Sequence, residues 1–259
     1  MDALVNYQTL LLAQLKSGDY VGFTFFIGSM AMAAATVFFF FQINRVEGKW
    51  KDSMLVSGLI TFIAAVHYFY MRDFWAEFQA SPTEFRYIDW ILTVPLMCVE
   101  FYLILRAFGA KAGLLWKMIF YSVWMLVAGY LGETVFRDQS PLWGFISTLG
   151  YIGILYEVWM GSAKKLSNNS NDPTLQKAFN ALAWFILVGW AIYPIGYMTI
   201  DSGWLSGVIP ATSMDIIYNI GDAVNKIGFG LVIYSLAISK TAEGAQSTIS
   251  AGSKSAANV

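Results

Sequence analysis

Seven apolar stretches of about 20 residues or more recur along the chain, and they decide what it can fold into. They run from Tyr20 to Ile43, Ser53 to Met71, Phe85 to Phe108, Gly113 to Leu131, Pro141 to Met160, Phe179 to Thr199 and Met214 to Ser239. Each is long enough to cross a hydrocarbon core of ~30 Å as a helix, and in hydrocarbon the backbone of such a stretch must satisfy its own hydrogen bonds. The expected fold is an all-α membrane protein, a seven-transmembrane-helix bundle. Composition agrees: of 259 residues, 57% are hydrophobic and 13% charged, more apolar than a soluble domain tolerates. The connections, such as "NRVEGKWKD" and "GSAKKLSNNSNDPT", are short and polar and leave no room for a soluble domain. Three parts follow: an extracellular segment over 1–19, the bundle over 20–239, and a Ser-, Ala- and Gly-rich tail over 240–259 expected to be disordered. The first part lacks the basic start and cleavage site of a signal peptide, and its run "TLLLAQL" suits the membrane face.

Orientation follows from Lys and Arg in the connections, which favour the cytoplasmic side. Eleven of them, including Arg45, Lys49, Lys51, Lys111, Lys164, Lys165 and Lys240, fall on one side; only Lys16, Arg72 and Arg137 fall on the other. This puts the N-terminus outside and the C-terminus in the cytoplasm. A net charge of -1 gives no electrostatic footprint for nucleic acid. The single cysteine, Cys98, has no partner for a disulfide and no metal-ligand spacing around it, so no metal site is expected.

Against that apolar background, ionisable residues within spans stand out. Lys226 sits near the middle of the seventh span, about 18 Å from either end at 1.5 Å per residue, beyond the reach of a snorkelling stem. A charge there is costly unless paired or chemically changed. Asp222 lies one turn away on the same face. The pair reads either as a brace within the bundle or as a Schiff-base lysine with its carboxylate partner. The third span, "RYIDWILTVPLMCVEFYLIL", bears on the choice. Asp89 and Glu100 are three helical turns apart on one face, separated by roughly 16 Å along the axis. Thr93 shares that face, and Arg86, one turn outward, is placed to neutralise Asp89. A donor and an acceptor on opposite sides of a central amine make a directional proton path.

These residues, with "DAVNKIGFG" and "WAIYPIGY", resemble the microbial (type 1) rhodopsins, most closely the flavobacterial, green-absorbing proteorhodopsins. The resemblance covers all seven spans. It implies that all-trans retinal is bound through Lys226, that Asp89 is the primary proton acceptor and counterion, that Asp222 is the second counterion, and that Glu100 is the cytoplasmic donor. Asp89, Thr93 and Glu100 occupy the positions that separate ion classes, and they favour a light-driven outward proton pump, a transporter rather than an enzyme. His67, the only histidine, would reach Asp89 directly or across a neighbouring protomer. Tyr68 would partner Asp222. The implied setting is a multi-pass protein of the bacterial inner membrane, with protons and the lipid bilayer as partners and a homo-oligomer, pentamer or hexamer, as its assembly.

Aromatic spacing outlines a pocket. Trp190, Tyr193 and Tyr197 form one stripe on the sixth span, which by itself suits plain packing as well as a ligand. With the resemblance they become retinal contacts, along with Trp90, Pro194, Tyr151 and Asn225. Pro194 is expected to kink the sixth span. Met97 matches the colour-tuning position, where an apolar residue implies green absorption. Two departures stand out. The loop "DSGWLSGVIPATSMD" lacks the glutamate of the archaeal release group. Gly144 stands where archaeal relatives carry tryptophan, which either admits a carotenoid antenna or eases helix contact. The competing readings are a photosensory rhodopsin signalling through a partner, against which Glu100 argues, and a retinal-free receptor or transporter, which would be colourless.

Overall fold

The computed structural model describes residues 17–106, 108–200 and 203–256, with side chains as far as residue 247. Nine α-helices succeed one another among the described residues: α1 (Tyr20–Gln42), α2 (Trp50–Phe78), α3 (Thr83–Arg106), α4 (Ala112–Tyr130), α5 (Ser140–Trp159), α6 (Ser162–Asn169), α7 (Pro173–Trp184), α8 (Ile192–Tyr197) and α9 (Ala211–Ala256). The short α6 is a connection, and α7 and α8 are two halves of one rod. The result is the expected all-helical bundle of seven rods. Six of the rods have the length and apolar character to cross a membrane. The remaining one, α5, is diluted by glycine, serine and tyrosine, yet its 20 residues give ~30 Å of helix packed against α4. The run "TLLLAQL" lies outside the described residues.

The rods present apolar side chains outward as well as inward, as spans in lipid do, and keep the charged groups Asp89, Glu100, Asp222 and Lys226 for the interior. In α1, Val21, Phe25, Met32 and Phe39 are buried, while Phe23, Ile27, Val37 and Phe41 face outward. Asp19 caps this helix by accepting from Gly22 N at 2.8 Å, and it also accepts from Trp75 Nε1 at 2.9 Å. One carboxylate thus closes α1 and ties it to the far end of α2. Gln79 ends α2 in the left-handed region, with φ 49°.

The sixth rod departs from expectation. Its interruption is not centred on Pro194, which falls in the first turn of α8, where the backbone N–H it lacks has little use. The helix instead widens into a π-helical turn over Phe185–Gly189, and Trp190 N bonds to Phe185 O at 3.1 Å. Neighbouring side chains take up the carbonyls of this segment. Tyr151 Oη donates to Ile186 O and Leu187 O at 2.9 and 2.8 Å, and Asn225 Nδ2 donates to Gly189 O at 2.9 Å. Irregular backbone at membrane depth persists only with such partners.

The tail also differs. Composition predicts disorder from residue 240, but α9 continues to Ala256, because extending an anchored helix needs no new nucleus. Lys240 pairs with Asp172 and with Glu243, each at 2.7 Å, and Glu47 N donates to Thr241 Oγ1 at 3.2 Å. These contacts gather the α1–α2 loop, the α6–α7 loop and the start of the tail at one end of the bundle.

Two predictions follow from this packing. Burial raises the Asp172 carboxyl, but the Lys240 bond and backbone amides outweigh burial and hold it below its ordinary value. A depressed carboxyl stabilises above its unfolded pKa of about 3.9 and loses that contribution as pH falls through the folded value. A spin label at Ala245→Cys should therefore gain mobility in that acid range, whereas unchanged mobility down to about pH 2 would contradict the tie. At the α4–α5 contact, a Cβ on Gly150 would meet Tyr121 O at 2.7 Å and Met125 N at 2.9 Å, both backbone atoms. Gly150→Val should lower stability by about 1–3 kcal/mol in thermal unfolding.

Candidate functional site

Lys226 and Asp222 are one turn apart on α9, and Asp89 faces them from α3. Lys226 Nζ donates to Asp89 Oδ2 at 2.6 Å and pairs with Asp222 Oδ2. All three side chains are at most 2% exposed. Two carboxylates and one ammonium leave this buried cluster with one formal negative charge in excess. Asp222 is further held by Tyr193 Oη, which donates to Oδ1 at 2.8 Å. Thr93 Oγ1 donates to the backbone carbonyl of Asp89 at 2.9 Å, not to its carboxylate.

Three expected contacts take other forms. Arg86 does not neutralise Asp89: its Nη2 donates to Asp215 Oδ1 and to Asn219 Oδ1, each at 2.9 Å. The guanidinium carbon lies 5.2 Å from the ring centres of Phe25 and Tyr218, within cation–π range of both. Tyr68 does not donate to Asp222; its Oη reaches Tyr218 O at 3.4 Å, and Tyr193 serves Asp222. His67 Nδ1 donates to Ile63 O at 2.8 Å and stands 3.8 Å from Asp89 Oδ1. That separation brings the ring beside the carboxylate without a hydrogen bond. Asp89 Oδ1 consequently has no hydrogen-bond partner among the described residues.

Glu100 lies three turns along α3 and is 1% exposed, and its Oε1 accepts from Ser57 Oγ on α2. Between Glu100 and the α9 cluster the helix carries Pro95, Leu96, Met97 and Cys98. The two carboxyls of α3 therefore occupy separate polar settings divided by apolar side chains.

An apolar cavity of about 160 Å³ adjoins the cluster. Trp90, Tyr151, Trp190, Tyr193, Pro194 and Tyr197 line it, as the aromatic spacing predicts, and Gly144 borders it. Met97, Asn225 and Tyr68 do not. Met97 packs in the core, and Asn225 holds the π-helical turn. The cavity meets the charged cluster through Tyr193, which contacts Asp222, and through Trp90, which follows Asp89 and lies 4.9 Å from the Tyr193 ring. The aromatic and apolar lining suits an apolar ligand, and Trp90 and Tyr193 stand between that lining and the Lys226 cluster. At Gly144, an added Cβ would strike the Tyr197 ring, so the missing side chain makes room for that ring.

Several residues of the site went unrecognised in the sequence. Asp215, Asn219, Asp222 and Lys226 lie at i, i+4, i+7 and i+11, a single polar stripe on α9 that helical spacing alone would have revealed. Ser81 Oγ also donates to Asp215 Oδ1, at 2.7 Å, and Asn219 Nδ2 donates to Thr24 Oγ1 at 3.0 Å. Glu133, in the π-helical turn after α4, accepts from Tyr87 Oη at 2.9 Å and lines the cavity. Its contact across two helices has no signature in local spacing.

Comparison with known proteins agrees with this architecture. Residues 19–240 match the pattern of the family described as bacteriorhodopsin-like protein, and the chain belongs to that family. It is 46% identical to the green-light absorbing proteorhodopsin of Gamma-proteobacterium EBAC31A08 over 88% of this chain and 90% of that protein. The crystal structure of the blue light-absorbing proteorhodopsin from Med12 superposes with a TM-score of 0.73 at 39% identity, over 85% of this chain and 99% of that one. Xanthorhodopsin, described as a light-driven ion pump with dual chromophore, superposes with a TM-score of 0.76 at 29% identity, over 89% and 98% of the two chains.

The Arg86 contacts carry their own prediction. Asp215→Ala leaves a buried guanidinium without its carboxylate and should cost about 3–5 kcal/mol in thermal unfolding. Ser81→Ala removes one hydroxyl hydrogen bond to the same carboxylate and leaves its ion pair with Arg86 in place, and should cost less, about 1.5 kcal/mol.

Proposed function

We propose that this protein is a light-driven outward proton pump that uses all-trans retinal held by Lys226. The observation that carries the reading is Lys226 Nζ clamped between Asp89 and Asp222 beside an aromatic cavity, with Glu100 buried farther along the same helix as Asp89. Retinal bound through Lys226 supplies light absorption and a change of shape that alters the proton affinity at Nζ.

The chain's own residues then account for direction. Asp89 Oδ2, already in hydrogen-bond contact with Nζ, takes the proton held there, while Asp222, fixed by Tyr193, keeps its charge as the lasting counterion. The free Oδ1 of Asp89 and the nearby His67 ring give the protonated carboxyl a place to turn towards. Glu100 returns a proton to Nζ from the opposite side and refills from the end bearing the α1–α2 loop. Because that end holds the greater share of Lys and Arg, it is assigned to the cytoplasm, with the N-terminus outside. Trp90, Trp190, Tyr193 and Tyr197 confine the ligand and exclude water from the apolar side of the cluster. The π-helical turn at Phe185–Gly189 gives the sixth rod a point at which its inner half can move.

Finer features belong to the same proposal. Apolar Met97 favours green absorption, the membrane is a bacterial inner membrane, and the assembly is a homo-oligomer. A carotenoid antenna at the cavity edge beside Gly144 is tested by energy transfer from an added hydroxylated carotenoid; no transfer would leave Gly144 as room for Tyr197 alone.

Illumination of cells making the protein with retinal should acidify the medium, and a protonophore should abolish the effect. A coloured, photocycling protein that moves no protons would support the photosensory reading instead, and light-driven alkalinisation would reverse the direction. His67→Ala should alter the pH-dependent colour shift governed by the Asp89 cluster; an unchanged titration would remove His67 from the site.

A further inference from the structure

Glu100 is sealed from solvent, yet a donor must be refilled. Ser57, its hydrogen-bond partner, belongs to a row of hydroxyls on the buried stripe of α2: Ser53, Ser57 and Thr61, at i, i+4 and i+8. Thr61 is satisfied, since it bonds Ser57 O and Thr36 Oγ1, each at 3.0 Å. Ser53 is not. It is 1% exposed, and among the described residues its Oγ has no partner, not even the carbonyl one turn back that helical serines often take. Gln42, the last residue of α1 and at the same end of the bundle, is 6% exposed with Oε1 also unpartnered.

A buried polar atom left alone costs about 1–3 kcal/mol, and such atoms ordinarily recruit water when the site is polar enough to hold it. Here both lie between Glu100 and the α1–α2 loop, where Glu47 and, in the first turn of α2, Asp52 are exposed. The continuation of α3 itself is apolar. Beyond Glu100, α3 presents Phe101, Ile104 and Leu105, all fully buried, with Phe101 packed against Phe179 at 5.2 Å.

We propose that Glu100 is reprotonated along α2, with Ser53 as the relay hydroxyl between Gln42 at the entrance and Ser57 at the carboxylate. A hydronium at the entrance gives a proton to the Ser53 hydroxyl and leaves as water, while the hydroxyl's own proton passes to Ser57 through a bridging water, since the two hydroxyls share no hydrogen bond. Ser57 repeats the exchange, and the Glu100 carboxylate becomes the acid. Both serines end as they began, and no co-reactant besides water is required. The inference rests on the reading of Glu100 as donor.

The test uses the full chain with retinal in lipid nanodiscs, excited by a laser flash, with a pH-indicator dye in the bulk solution. Ser53→Ala should slow proton uptake and late recovery of visible absorbance by roughly tenfold, while Ser53→Thr keeps the native rate. The early phase reporting transfer to Asp89, the dark-state spectrum and the infrared carbonyl band of Glu100 should all stay unchanged, although a general packing defect would move them. Azide, a small acid that diffuses to buried sites, should restore the rate of Ser53→Ala. Uptake in Ser53→Ala within about twofold of native, with Glu100→Gln slow, would overturn the route alone. Native uptake in Glu100→Gln would overturn the donor assignment and the route with it.

Discussion

A lysine held between two aspartates in a medium that tolerates neither is the constraint on which the structure turns. Each ion alone would be prohibitive at this depth, and one partner would leave the arrangement neutral and inert. Two carboxylates stabilise the ammonium and leave an excess negative charge, so the proton at Nζ has acceptors on hand from two helices. The rest of the site supports that cluster. Tyr193 fixes one carboxylate, His67 stands near the other, and Trp90 connects it to the aromatic cavity.

Polarity along α3 is distributed so that a proton has separate stations. Arg86 belongs to a polar layer with Asp215 and Asn219, Asp89 belongs to the Lys226 layer, and Glu100 belongs to α2 through Ser57. The first two layers are closed by side chains of α9 and the third by α2, so Glu100 is tied to a different rod from Arg86 and Asp89. The π-helical turn in the sixth rod has its freed carbonyls held by Tyr151 and Asn225 instead of by the helix itself.

Much of this was legible in the sequence because hydrocarbon simplifies the problem. Apolar length gave the spans, and the cost of charge in lipid singled out Lys226, Asp222, Asp89 and Glu100, which the fold brings into the bundle interior. Aromatic periodicity located Trp190, Tyr193 and Tyr197 in the cavity wall. What escaped was of two kinds. Pairing across helices depends on rotation of the rods, so Arg86 was matched to its own-helix neighbour Asp89 when Asp215 on α9 was the better placed acceptor. Backbone irregularity depends on tertiary partners, so Pro194 drew attention that belonged to Phe185–Gly189. Tail composition misled for a related reason: an existing helix with Lys240 anchored at its base continues where the same residues alone would not form one.

Covalent attachment at Lys226 is the central claim, and reduction with borohydride followed by peptide mass measurement tests it most directly. Purified coloured protein treated in this way should carry a retinyl group on the peptide containing Lys226, at its Nζ. A free Lys226 amine in protein that keeps its colour, or the retinyl group on any other residue, would contradict the account.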